Sequence, residues 1–346
     1  MMARSAVVLI GPMSALVFAT ATAASQVDPV APPVAPATSA QTPATAPPPA
    51  GQDDGAPDVD QLAVDRDRYE RMTVPVTISG HGPYRFLVDT GAQATVVTHR
   101  VTEPLKLLPT GRAMLVAMGS AQMVETIDID DLAFANRSFS GITAPLLKAD
   151  NVGADGIIGL DSLQGLKVVI DFLADRISVT DAPLARASSN SVEIVVHARR
   201  RFGQMIITDA RIDGIRTAIV IDTGSQTSFA NQALRDRLRS RDKGQASFES
   251  VDVNGSKVAT GINMVRELKI GAMTMRDVPM GFHESPVFAA LGLTHTPAII
   301  LGMQNLRPLN RVAIDFANRR VLFDLPASMN SDRVRTIFSA SRIKDS

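Results

Sequence analysis

The sequence contains one short motif twice, and each copy places an acidic residue directly after an apolar run. The two copies are Phe86-Leu87-Val88-Asp89-Thr90-Gly91 and Ile219-Val220-Ile221-Asp222-Thr223-Gly224. A short apolar run of this kind predicts a buried strand. A carboxylate at the end of such a strand is costly unless its charge is shared or hydrogen-bonded, so Asp89 and Asp222 require a chemical reason.

Pairing of the two acids supplies that reason. If the copies face each other across a pseudo-twofold axis, Asp89 and Asp222 form a pair of carboxyl groups. Two carboxyl groups at hydrogen-bonding distance do not easily both ionise, so the pair shares one proton. It then presents one base and one acid to a water molecule.

The two residues after each aspartate are suited to holding its carboxylate in place. Gly91 and Gly224 permit a tight turn whose N–H groups point at the carboxylate. Thr90 and Thr223 each offer a hydroxyl to a neighbouring loop. These four residues are therefore predicted to position the two acids.

A second pair of motifs follows in the same order in each half. Each Asp-Thr-Gly precedes an apolar-apolar-Gly segment and then an Asp-Phe dipeptide. These segments are Ile157-Ile158-Gly159 with Asp171-Phe172, and Ile300-Leu301-Gly302 with Asp315-Phe316. Ordered repetition of several motifs indicates a tandem duplication of one structural unit.

At these residues the sequence resembles the aspartic peptidases, and more closely the retropepsin-like branch, as a bacterial exported type with two Asp-Thr-Gly halves in one chain. The resemblance covers about residues 72 to 325. It implies a mainly β, bilobal acid-protease-like fold of two homologous β-barrel lobes with pseudo-twofold symmetry. It also implies that Asp89 and Asp222 are catalytic and act on a peptide or protein substrate with no cofactor and no metal ion. A non-catalytic peptide-binding or regulatory module that retains the cleft is the alternative.

Family order places a flap hairpin between the two motifs of each half. The flap candidates are Met118, Gly119 and Ser120 in the first half, and Asn254 and Gly255 in the second. Asn-Gly is a strong hairpin turn signal. Ordinary surface hairpins at the same positions remain the alternative.

Other chemistries lack their motifs. The five histidines show no metal-ligand spacing. The chain also has no cysteine and no Gly-x-Ser-x-Gly motif, so the common routes to covalent acyl transfer are missing. Asp128, Asp130 and Asp131 lack the glycine and final glutamate of a calcium loop and are predicted to form the polar face of a strand. Asp161 has Gln304 as its counterpart, so it is interpreted as a loop or helix-cap residue.

Charge is balanced, with 35 Lys+Arg against 35 Asp+Glu. No basic patch is interleaved with aromatic residues, which argues against a nucleic-acid partner. The single dense basic run, Arg199-Arg200-Arg201, is predicted to be a solvated turn.

The N-terminus predicts export. Arg4, an apolar stretch and Ala21-Thr22-Ala23 indicate a signal peptide over residues 1–24, with an uncleaved anchor as the alternative. Residues 25–61 are rich in Pro and Ala and predict a linker. The absence of cysteine favours a bacterial envelope, so we expect a periplasmic protein without an integral membrane span after processing.

The remaining chain divides between two lobes and a tail. The N-terminal lobe is predicted over residues 62–182, the C-terminal lobe over 183–328 and a polar tail over 329–346. Because both halves lie in one chain, we expect a monomer. A dimer, in which each half pairs with another molecule, remains the alternative.

Overall fold

A computed structural model describes residues 7–9, 60–63, 65–66, 72–180, 192–201, 204–238 and 246–326. Strands dominate these residues. The strands of the first half are β1 (Val7–Leu9), β2 (Asp60–Ala63), β3 (Asp65–Arg66), β4 (Met72–Ile78), β5 (His81–Val88), β6 (Val96–Thr98), β7 (Gly111–Val116), β8 (Ala121–Ile129), β9 (Leu132–Phe134), β10 (Arg137–Phe139), β11 (Ile142–Leu147), β12 (Gly156–Ile158), β13 (Lys167–Asp171) and β14 (Arg176–Thr180).

The second half repeats this β-rich pattern. Its strands are β15 (Val192–Arg201), β16 (Gln204–Ile207), β17 (Ala210–Ile212), β18 (Ile215–Arg216), β19 (Ala218–Ile221), β20 (Phe229–Ala230), β21 (Ala246–Val251), β22 (Lys257–Ile270), β23 (Met273–Phe282), β24 (Ala298–Leu301), β25 (Arg311–Asp315) and β26 (Arg320–Leu325). The short helices are α1 (His99–Leu105), α2 (Ala149–Val152), α3 (Leu160–Leu163), α4 (Gln232–Arg235), α5 (Pro286–Ala290) and α6 (Met303–Leu306).

The apolar runs before the two aspartates form strands with parallel neighbours. β5 lies parallel to β12, and β19 lies parallel to β24. All four residues of β19 are buried, as are the last three of β5. A strand covered on both faces requires a continuous apolar run, which explains the sequence pattern.

The two halves share a run of six antiparallel strands within the larger of the two sheets, in the order β2, β14, β13, β25, β26 and β15. Its central pair is β13 with β25, and Val169 lies opposite Ala313 at the middle of their register. Each half supplies three strands, so the sheet joins the lobes about the pseudo-twofold axis. The Asp-Phe motif of each half ends one of the two central strands.

Packing also crosses between the halves. The largest apolar cluster draws buried side chains from both of them. A second cluster around Leu87 includes Val253 of the second half, and a third around Phe288 includes Val116 of the first half. The hairpins that carry Val116 and Val253 therefore pack against the opposite half.

The mainly β, bilobal fold with two homologous lobes confirms the fold class predicted from the motifs. The prediction of a turn at Arg199-Arg200-Arg201 is wrong, because these residues complete β15. The strand continues through them because its backbone pairs with β16, with Arg199 opposite Ile206 and Arg201 opposite Gln204.

The predicted domain boundaries stay predictions. The limits near residues 182 and 328 lie outside the described residues, as do the linker up to residue 59, the tail and all of the leader except 7–9. The backbone of β1 pairs in parallel with β7. None of the described helices has the length and apolar character that a membrane span needs.

Candidate active site

Each Asp-Thr-Gly loop begins where a buried strand ends beside its parallel partner. The Asp89 amide donates to the Ile158 carbonyl over 3.1 Å, and the Asp222 amide donates to the Leu301 carbonyl over 3.0 Å. These bonds extend the two parallel pairings by one step. The apolar-apolar-Gly strand of each half thus fixes the position of the neighbouring aspartate in the sheet. Both aspartates are buried, with Asp89 0% and Asp222 1% exposed.

Both carboxylates accept hydrogen bonds from their own loop. Oδ1 of Asp89 accepts from the Gly91 amide at 2.7 Å and from the next amide at 3.0 Å. Oδ1 of Asp222 accepts from the Gly224 amide at 2.9 Å and the Ser225 amide at 3.0 Å. These donors compensate for part of the water that each buried oxygen has lost.

The two carboxyl groups face each other across the interface between the halves. A Cβ atom added at Gly91 would collide with the Asp222 carboxyl, and one added at Gly224 would collide with the Asp89 carboxyl. Neither glycine has a positive φ. Close approach of the opposite acid therefore requires glycine at both positions, in addition to the tight turn that the sequence predicted.

Their proximity changes the protonation of the pair. Burial raises the pKa of Asp222 well above its usual range, and the charge of Asp89 and a side-chain hydrogen bond to Asp89 raise it further. The Gly224 and Ser225 amides act in the opposite direction. Asp222 therefore keeps a proton at pH values where an exposed aspartate is ionised, and the pair can present an acid beside a base.

The threonines tie the two loops together by a reciprocal set of bonds. The Thr90 hydroxyl donates to the Ile221 carbonyl at 2.9 Å and accepts from the Thr223 amide at 3.3 Å. The Thr223 hydroxyl donates to the Val88 carbonyl at 2.7 Å and accepts from the Thr90 amide at 3.0 Å. Each hydroxyl thus crosses to the opposite half and fixes the separation of the two acids.

The later glycines give each loop a close neighbour. The Gly159 amide donates to the Thr95 hydroxyl at 3.2 Å, and the Gly302 amide donates to the Ser228 hydroxyl at 2.9 Å. A Cβ atom at either glycine would collide with backbone atoms of the segment that follows Asp-Thr-Gly. The second motif of each half therefore packs directly against its catalytic-loop candidate.

Two further polar residues contact this framework. The Asp161 carboxylate accepts from the Thr95 amide at 2.9 and 2.8 Å and from the Thr95 hydroxyl at 2.7 Å. It lies in the first turn of α3 and also accepts from the Ser162 amide, so it connects that helix to the loop segment. Gln204, which is buried, donates its side-chain amide to the Gly91 carbonyl.

The flap candidates lie at the ends of two hairpins, which we call tip 1 (residues 117–120, between β7 and β8) and tip 2 (residues 252–256, between β21 and β22). Met118, Gly119 and Ser120 belong to tip 1, and Asn254 and Gly255 to tip 2. The Asn254 side-chain amide donates to the Ser120 hydroxyl at 2.8 Å. The structure thus brings the two sets of flap candidates into contact with each other.

No group of three His, Cys, Asp or Glu residues within the described ranges is arranged to hold a metal ion. Asp128 lies on β8, is exposed and accepts from the Thr143 hydroxyl at 2.8 Å, as predicted for the polar face of a strand. Asp130 and Asp131 lie between β8 and β9, so the same prediction is wrong for them.

The two-lobed β fold and the facing Asp-Thr-Gly loops define an acid-protease type of protein. Residues 74–165 match a family model described as "gag-polyprotein putative aspartyl protease", and residues 208–304 match one described as "Aspartyl protease". Together the matches cover more than half of the sequence. The chain belongs to the retropepsin-like aspartyl protease family.

Among solved structures, the chain is similar to a retropepsin-like aspartic protease from Rickettsia conorii at 14% sequence identity, with a TM-score of 0.31. The alignment covers 41% of this chain and 97% of that chain. Comparison with curated proteins gives no significant match.

Sequence reasoning missed two residues that contact the site, Gln204 and Asp252. An aspartate two residues before Asn-Gly is a recognisable turn signal, so the local role of Asp252 was detectable. Its contacts with tip 1 were not, because they join residues more than a hundred positions apart. Gln204 lies in an apolar strand and carries no motif.

Proposed function

We propose that the protein is an aspartic endopeptidase in which Asp89 and Asp222 activate a water molecule against a peptide carbonyl. The observation that carries this proposal is the facing pair of buried carboxyl groups, each locked by its own loop and by the threonine of the opposite half. Protease family membership supports peptides or proteins as substrates.

A pair of carboxyl groups that shares one proton can act as acid and as base in the same reaction. The protonated carboxyl donates its proton to the carbonyl oxygen of the substrate. The ionised partner accepts a proton from the water as the water oxygen bonds to the carbonyl carbon. That proton then passes to the leaving nitrogen as the C–N bond breaks, and the hydroxyl formed from the carbonyl returns its proton to the first carboxyl.

The fixed loops contribute positioning to this reaction. Because the backbone donors and threonine bonds already hold both carboxyl groups, little reorganisation is needed when the proton moves. Gly91 and Gly224 leave the space between the acids free of side chains. This arrangement favours hydrolysis over mere binding, since a binding cleft has no need of two buried acids that share a proton.

Cleavage of a mixed peptide library, followed by mass spectrometry, tests the proposal. We expect defined cleavage sites for the wild-type protein and a loss of at least about 10³-fold in turnover for Asp89→Asn and for Asp222→Asn. Asp130→Asn is the matched control, because it makes the same chemical change at an exposed residue.

Turnover by Asp89→Asn at the wild-type rate would show that the carboxyl pair does not carry the reaction. Peptide binding by the wild-type protein without any cleavage would instead identify a non-catalytic peptide-binding module. Both outcomes are read from the same library by comparing bound and cleaved peptides.

We also propose that the protein is exported to the bacterial periplasm and acts there as a monomer. The signal-like segment over residues 1–24 and the lack of cysteine support export. The presence of both Asp-Thr-Gly loops in one chain supports a monomer. N-terminal sequencing should find that the mature protein begins close to Ala24, and retention of Met1 on a membrane-bound form would contradict this. Light scattering should give the mass of one chain.

A further inference from the structure

The contact between tip 1 and tip 2 is centred on one buried carboxylate, Asp252, which is 1% exposed. Its Oδ2 atom accepts from the Gly119 amide at 3.1 Å and from the Ser120 hydroxyl at 2.7 Å. Its Oδ1 atom accepts from the amides of Asn254 at 3.0 Å and Ser256 at 2.8 Å. One oxygen therefore shapes tip 2, while the other binds the opposite half.

Additional contacts reinforce this link. The Asn254 side chain donates to the Ser120 hydroxyl, and the Asn151 side chain of the first half donates to the Val253 carbonyl at 3.3 Å. Val253 is buried in an apolar cluster of the first half. Tip 2 is thus attached to the first half by a carboxylate, two amide side chains and one apolar residue.

The attached hairpins lie beside the aspartate loops. The cluster that contains Val253 also contains Ala92, which directly follows the first Asp-Thr-Gly. The cluster that contains Val116, the last residue before tip 1, also contains Val220, two residues before Asp222. Both hairpins are therefore packed into the same apolar clusters as the residues next to the two acids.

We propose that Asp252 is a positioning residue that clasps tip 2 to tip 1 and closes the two hairpins over the dyad. This inference rests on the proposed peptidase function. The clasp opens to admit a peptide and closes again on the bound substrate, which holds the peptide against the carboxyl groups and excludes bulk water other than the reacting molecule. It is one-sided, because the buried residue at the centre of tip 1 is Met118, which has no carboxylate.

A reversible crosslink tests whether the clasp must open. The sequence contains no cysteine, so Ser120→Cys combined with Asn254→Cys introduces the only two thiols. We expect oxidation to join the tips and to lower cleavage of a protein substrate at least about 20-fold, with recovery after reduction. The two single cysteine variants, treated identically, are the controls.

Two results of this experiment overturn the clasp: thiols that stay free after oxidation, or a crosslinked protein that cleaves at the wild-type rate. Thiol titration does not depend on activity. If the wild-type protein cleaves nothing, the proposed function fails, while formation of the crosslink still reports that the tips meet.

Kinetics of Asp252→Asn test the positioning role. An asparagine keeps the shape but has one acceptor oxygen in place of two, so it cannot accept from the donors of both tips at once. Because the clasp holds substrate and transition state alike, we expect KM for a short peptide to rise about tenfold and kcat to change less than about threefold. Asp130→Asn is again the control.

Ser120 gives an independent variant on a partly exposed residue. Ser120→Ala should raise KM in the same direction by a smaller factor, and Ser120→Thr, which keeps the hydroxyl, should restore it. If Asp252→Asn does not fold, this series decides the question. An unchanged KM in Ser120→Ala would then overturn the role of the clasp.

Discussion

The two halves of the molecule match bond for bond at the Asp-Thr-Gly loops and differ at the hairpin tips. Each aspartate accepts from the same two amides of its own loop, and each threonine donates to a carbonyl of the opposite half. At the tips, a buried Asp252 in the second half binds tip 1, where Ala117 occupies the matching position. The periphery of the loops differs too, since Asp161 binds Thr95 whereas Gln304 occupies the matching position in the second half.

This difference indicates that the Asp-Thr-Gly loops, whose two acids share a proton, must stay equivalent in the two halves. Two carboxyl groups that exchange one proton need equivalent positions on either side of the substrate atom, so both loops require the same bonds. The tips need only to meet, and one carboxylate with donors on the other side suffices for that. The variants below change residues of the symmetric Asp-Thr-Gly loops, and they are given from the largest expected effect to the smallest.

The largest effect is expected from the acids themselves in combination. Asp89→Asn and Asp222→Asn should each abolish most turnover, and the double variant should lose little more than either single one, because both groups act on one water. Steady-state cleavage of one sensitive peptide by the three variants measures this. Additive losses would show that the halves act independently.

A methyl group at the loop glycines should produce the next largest effect. Gly91→Ala and Gly224→Ala place a Cβ atom against the opposite carboxyl, so the acids must separate. We expect turnover to fall about 10²-fold and the melting temperature to drop. Gly261→Ala is the control, since its Cβ meets open space and its φ is ordinary; equal behaviour of the three variants would exclude the steric explanation.

Removal of a threonine hydroxyl should have a moderate effect. Thr90→Val or Thr223→Val leaves a buried carbonyl and amide without their partner, which costs about 1–3 kcal/mol for each unsatisfied group. We expect urea unfolding to show a loss of roughly 2 kcal/mol or more and turnover to fall about tenfold. Thr90→Ser and Thr223→Ser keep the hydroxyl and should stay near wild type.

The smallest effect concerns the pH dependence of stability. Because the pKa of Asp222 is raised in the folded protein, the folded state binds more protons than the unfolded state above the usual aspartate pKa. The stability contributed by protonated Asp222 is therefore present at low pH and lost as pH rises through the folded pKa. Asp222→Asn removes this loss, so its melting temperature should exceed that of wild type at pH 7 and approach it near pH 4.

A gain of about 1 kcal/mol corresponds to roughly 1–2 °C in a protein of more than 250 residues. Asp130→Asn, at an exposed carboxyl, should show no such pH-dependent difference in melting temperature from wild type. A melting temperature of Asp222→Asn below that of wild type at pH 7 would contradict the raised pKa.

The duplicated motifs were sufficient to predict the class of fold. Apolar runs that end in Asp-Thr-Gly predicted buried strands, and β5 and β19 confirm them. The Asn254-Gly255 pair predicted a turn that the structure has at tip 2. These features depend on local sequence, since burial on both faces and tight turns each demand particular residue types.

The extent of local elements was predicted less well. β15 runs through three arginines because its backbone pairs with β16 there, whereas composition alone suggested a turn. The roles of Asp161 and Gln204 depend on which loop lies next to them, and no short-range pattern contains that information.

By itself, the sequence determined that two equivalent units exist, that each carries an acid at the end of a buried strand, and that their motifs follow in one order. Only the tertiary structure decided why Gly91 and Gly224 are glycines, that the threonines cross between halves, and that Asp252 joins the tips. The physical reason is that strand burial and turn formation depend on neighbours along the chain, whereas close approach and shared hydrogen bonds depend on packing between residues far apart in sequence.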